Sequence, residues 1–234
     1  MKKLGFTMAE LLVTLGIIAV VAAMTAPMVG GLLPDKNKAT VLKIYKTVSE
    51  INEEVLNDPT IYRRTDNCTG LDCTDVAGDV KYQPSESSPD YNSDVGWSFY
   101  SGRYKYARVL FVNLNKNHDT QIRVGTDGNV ATMQFTTTDN LVWYVSGNGQ
   151  PGSVHQIMID TNPDGGNNCS YGEGCTNKPD RFLFNVSNKG IVSGADPLTR
   201  AYLSNTEKMN DKKTDYARAA AILAEEQAAS QSGN

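Results

Sequence analysis

The sequence predicts an α+β chain: a long N-terminal helix, its first half transmembrane, packed by its second half on an antiparallel sheet with long, disulfide-stapled loops. Three observations carry this. A run apolar but for Glu10 and a few threonines extends from Phe6 to Val29, a helical stripe follows it, and alternating apolar segments come later without helices between them. The implied divisions are a basic N-terminal segment over 1–5, a membrane helix over 6–33, a globular head over 34–204 and a polar, Ala-rich tail over 205–234.

The 234 residues suit one ordinary domain with an appendage, and the formal net charge of −4 gives no reason to expect nucleic acid as a partner. Phe6 to Val29 is long enough to span a bilayer, which takes about 20 apolar residues. Lys2 and Lys3 flank it as they would in a secretory signal, with Ala22 to Ala26 as a weak cleavage site. Two features oppose a removable signal of that kind: the run is longer than a usual signal core, and Glu10 places an acid near its start. A carboxylate toward the membrane interior costs about 2.5–3.5 kcal/mol on insertion scales. No Lys, Arg or His lies between Phe6 and Pro34, so the compensating charge must come from a chain terminus or from another molecule.

The residues around it, Gly5-Phe6-Thr7-Met8-Ala9-Glu10-Leu11-Leu12-Val13, resemble the prepilin signal of type IV pilins and type II secretion pseudopilins. The resemblance implies that Gly5 is the last leader residue, cut by prepilin peptidase. Phe6 is then the methylated new terminus, and Glu10 pairs with the terminal amine of a neighbouring subunit during assembly. Pro27 sits where many pilins carry a helix-loosening proline. The implied fold is pilin-like. The implied function is that of a structural, non-enzymatic subunit of a type IV pilus or type II secretion filament. Its implied partners are copies of itself or sister pilins, the peptidase/methylase and an inner-membrane assembly platform. It would be a single-pass inner-membrane protein with its head outside the cytoplasm, then part of a periplasmic or cell-surface filament. The alternatives are a minor or tip pilin acting as an adhesive module, an uncleaved anchor with a chance glutamate, and a soluble domain released after Ala26.

Beyond Gly30-Gly31 and Pro34, the residues Val41, Ile44, Val48, Ile51 and Val55 alternate steps of three and four, a stripe that predicts a helix packed on a core. Asp35 is its expected N-cap, and Asn57-Asp58-Pro59 its stop. From Thr60 to Tyr100 the chain reads as a long polar loop. Strands are expected around Leu141-Trp143-Val145, Ile157-Ile159 and Phe182-Phe184-Val186, with weaker candidates at Tyr106 to Leu114 and Gln121 to Val124. Asp127-Gly128, Gly147-Asn148-Gly149 and Asn188-Lys189-Gly190 supply turns. IMIDTNPDGG, KPDRFLFNV and SNKGIV resemble the final strands of pseudopilin-like proteins. The tail from Asn205 reads as helical or disordered, because its composition offers little to bury.

The four cysteines form two local pairs, Cys68 with Cys73 and Cys169 with Cys175, whose spacings suit neither zinc nor a redox motif. Two small disulfide loops in an oxidising compartment are expected. His118 and His155 accompany no nucleophile motif or phosphate loop, so no catalysis is expected. Asp160-Thr161-Asn162-Pro163-Asp164-Gly165 fits the opening of a calcium loop, with Asp160, Asn162 and Asp164 as candidate ligands. Position twelve is Tyr171 rather than a bidentate glutamate, so Asn167, Asn168, Glu173 or Asp180 would have to complete the shell. Major pseudopilins resemble this in binding Ca2+ through a late loop, while a simple tight turn uses the same residue types.

Overall fold

The computed structural model describes residues 8–9, 11–20, 35–59, 61–62, 71, 105–114, 123–127, 130–146, 155–165, 167–172, 175 and 178–232. Helix α1 (Lys36–Asn57) starts at Asp35, whose side chain accepts from the Asn37 N–H at 3.0 Å, and ends before Asp58. Start and stop fall where the sequence places them. Its buried residues are Lys38, Val41, Ile44, Val48, Ile51, Asn52 and Val55, a single stripe at helical spacing.

Residues Tyr106 to Leu114, a strand candidate in the sequence, instead supply helix α2 (Lys105–Asn113). Every residue from Lys105 to Phe111 is buried, the charged Lys105 and Arg108 included, so no exposed polar face marks the helical period, and a short buried segment reads alike as strand or helix. α2 meets α1 through Tyr106, whose hydroxyl donates to Asn52 Oδ1 at 2.8 Å, and meets the sheet through an edge contact of Phe111 on Phe135.

The sheet is an antiparallel meander of β1 (Arg123–Asp127), β2 (Val130–Thr136), β3 (Val142–Ser146), β4 (His155–Asp160), β5 (Arg181–Val186) and β6 (Val192–Gly194), in sequence order. Its register builds two apolar rows across one face: Phe135, Trp143, Ile159 and Phe182, and beside them Met133, Val145, Ile157 and Phe184. All eight are buried, as period-two alternation dictates for a sheet with one covered face. The stripe of α1 joins this face in one core.

Helix α3 (Pro197–Ser204) follows β6. Asp196 caps it by accepting from the Leu198 and Thr199 N–H groups, and its other oxygen accepts from Leu183 N–H of β5 at 2.8 Å. The tail then forms α4 (Lys212–Ser232), which buries Asp215 and Ala219. Composition alone offers this helix little to bury; it is docked by the Lys38–Asp215 pair together with Ala219, Tyr216 and Leu223, which pack on the core.

Candidate functional site

The N-terminal segment is helical over residues 8–9 and 11–20, and its apolar side chains are exposed all round: Leu11, Leu12, Val13, Leu15, Ile17, Ile18 and Val20. A helix apolar on every face must be covered by lipid or by other helices. Thr14 is the polar side chain of residues 11–20, and it returns its hydroxyl to the Leu11 carbonyl at 3.0 Å, leaving no donor for the surroundings to satisfy. Gly5, Phe6 and Glu10 lie outside the described residues, as do Pro27 and the end of the apolar run. Among the described residues no helix is long and apolar enough to cross a membrane.

Where α1 begins, the head is clasped by its own C-terminal segment. Lys38 Nζ donates to Asp215 Oδ2 and to the Lys208 carbonyl, and Asn205 Nδ2 donates to Asp215 Oδ1 at 2.9 Å. Beside them the Tyr202 hydroxyl donates to Asp35 Oδ2 at 3.3 Å. Burial, then the Asp35 carboxylate, raises the Tyr202 pKa, so the phenol stays a neutral donor. The first turn of α1, the α3–α4 link and α4 are thereby held as one unit.

The loop after β4 carries the proposed calcium ligands and the second cysteine pair. Cys169 and Cys175 are joined in a disulfide; Cys68 and Cys73 lie outside the described residues, although Leu71 between them is buried and its N–H donates to the Asn188 carbonyl. Asp160 Oδ1 accepts from Asn162 N–H and its Oδ2 from Arg181 Nε, while Asp164 Oδ2 accepts from Asn140 Nδ2. Asp180 accepts from the Asn168 and Cys169 N–H groups, 3.0 Å each. The carboxylates serve donors of the chain, and among the described residues no three His, Cys, Asp or Glu side chains come together as a metal shell requires. Ca2+ rests on the partial motif alone. Glu173 lies outside the described residues.

A cleft of about 340 Å³ opens between α1, the end of α2 and the β2–β3 turn, with Ile44, Leu114 and Trp143 inside and the Lys43–Asp139 ion pair at its rim. Trp143 donates its indole N–H to Thr137 Oγ1 at 3.2 Å, so its polar end is already satisfied. His155 is buried against the Tyr106 ring.

Residues 1–26 match the family model described as the prokaryotic N-terminal methylation motif, which is the prepilin signal of type IV pilins and pseudopilins. No curated protein and no solved structure matches the chain.

Proposed function

We propose that the chain is a structural subunit of a type IV pilus or type II secretion filament, made as a precursor, cut between Gly5 and Phe6, methylated and assembled through its N-terminal helix. The observation that carries this reading is the methylation motif over residues 1–26. The apolar exposure of residues 11–20 supports it, because such a surface demands lipid or sister helices. So does the head, where the stripe of α1 packs into one core with an antiparallel sheet. In this role Glu10 neutralises a neighbour's terminal amine inside the apolar assembly, and no catalytic group is called for.

The experiment is N-terminal sequencing with intact mass of the mature chain. A start at Phe6, with formal charge −4 − 2 = −6 after loss of Lys2 and Lys3, is expected. A start near Pro27 overturns the reading in favour of an ordinary secretory signal.

A further inference from the structure

The solvent face of α1 carries a division of charge that the fold of a single chain does not call for. Lys36, Lys43 and Lys46 are exposed in its first half, and Glu50, Glu53 and Glu54 in its second. At 3.6 residues per turn these six positions fall within a sector of about 100°, opposite the buried stripe. The helix has no acid in its first turn and no base in its last. That is the reverse of what the helix dipole favours, which is acids near the N-terminus and bases near the C-terminus. Lys46 and Glu50 are 3.8 Å apart at i,i+4, but with the lysine first, the weaker order, and both side chains more than half exposed. Lys43 alone has a firm partner, Asp139 at 3.0 Å.

An arrangement that the isolated helix disfavours suits a second molecule. The two charge groups are centred about 16 Å apart along the axis at 1.5 Å per residue. A copy displaced by that distance along a roughly parallel helix sets its basic half against the acidic half of the first, and the contact repeats from chain to chain. We infer that this face of α1 is a head-to-head interface between copies of the chain, in which the lysine half of one subunit meets the glutamate half of the next. The inference rests on the filament reading. It adds that register between heads is set by charge along α1, which favours one stagger and penalises the unshifted one, where like charges meet.

Charge reversal in the full-length chain, expressed in its own cells, tests this. Two variants are made, K36E/K46E and E50K/E53K/E54K, neither touching the Lys43–Asp139 pair. Each swap brings α1 closer to the dipole-favoured pattern, so each head should unfold at or above the wild-type midpoint. Each alone should nevertheless lower filament yield at least about tenfold, the factor that a 1.4 kcal/mol penalty gives. Combining all five substitutions in one chain, or co-expressing the two variants, should restore assembly, because opposite charges again meet across the interface. A fold defect could not be cured by adding a second defective chain. Wild-type yield from either single swap, or no recovery in both the combined chain and the mixture, overturns the inference while leaving the filament reading intact. Absence of filaments from the wild type overturns that reading and this inference with it.

Discussion

Lys38 Nζ lies 2.7 Å from Asp215 Oδ2, and both side chains are fully buried, so the first turn of α1 and the first turn of α4 are joined by an ion pair out of reach of water. Removing one partner leaves an uncompensated buried charge. Asp215→Asn should therefore cost about 3–5 kcal/mol in urea unfolding of the full chain in detergent, followed by circular dichroism. Replacing both partners, Lys38→Met with Asp215→Leu, should recover most of the loss, since two apolar groups need no counter-charge. Equal losses from the single and double replacements would mean that packing around the pair, not charge, holds α4.

Lys105 gives the head an alkaline signature. It is buried with its ammonium 4.4 Å above the Tyr62 ring, donates to the Ile61 carbonyl, and has its pKa pushed down to about 8 by desolvation. Below pH 8 the group is charged in both folded and unfolded chains. Between 8 and its ordinary value of 10.5 the unfolded chain holds the proton that the folded one has released, so stability rises with pH. Above about 10, Tyr106 and Tyr202, whose pKa values burial raises, ionise only in the unfolded chain, and stability falls again. Thermal midpoints should peak near pH 10, and Lys105→Met should flatten the rise from pH 8. A flat profile in the wild type would show that the ammonium is solvated.

The Cys169–Cys175 bridge closes a loop with a sequence separation of six. In the chain-entropy model a loop this short is worth about 2 kcal/mol. Tyr171 inside it stands edge-on to Tyr216 of α4 at 5.8 Å. Cys169→Ala with Cys175→Ala should thus lower the unfolding midpoint and also hasten proteolysis within 212–232. Cleavage of α4 at the wild-type rate would show that the bridge serves its own loop only. Peptide mapping without reduction should find the bridge local, with Cys68 and Cys73 paired to each other.

Glu10→Ala should be inserted and cut at Gly5-Phe6 as in the wild type, yet enter filaments poorly. The single subunit can place its terminal amine near lipid headgroups, whereas the assembly leaves that amine buried and unpaired. Sheared filament mass against cellular subunit, measured by immunoblot, reads the effect. Wild-type filament yield with cleavage intact would remove Glu10 from the assembly role.

The elements most legible in the sequence are those whose burial follows one period. α1 shows five apolar residues on one stripe between a cap and a proline stop, and β3, β4 and β5 alternate because one face of the sheet is covered. α2 is buried all round and so loses its period. β2 has Met133 and Phe135 as its large apolar residues, with Val130 and Ala131 beside two threonines and a glutamine, too weak a pattern to stand out. α3 is short but its start was written in Asp196-Pro197, a cap followed by proline at the first helical position. α4 could not be read from hydrophobicity, because it buries few apolar side chains and its docking also depends on Lys38, 177 positions away. At the candidate site, the motif residues were legible as a local word, Gly5 to Val13. The partners taken by Asp160 and Asp164 were not, since Arg181 and Asn140 reach them only through the fold.

Asn52 has both ends of its amide committed: its oxygen accepts from Tyr106 and its nitrogen donates to the Gly190 carbonyl at 2.9 Å. Gly190 sits at φ +77°, and a Cβ there would fall 2.6 Å from Leu56. Together with the Lys38 clasp, this fastens α1 to the head at two stations about 21 Å apart along the helix. A pull applied along α1 at its N-terminal end would load both fastenings at once. They would have to shear together rather than peel one after the other, so the head should bear axial load far better than its modest size suggests.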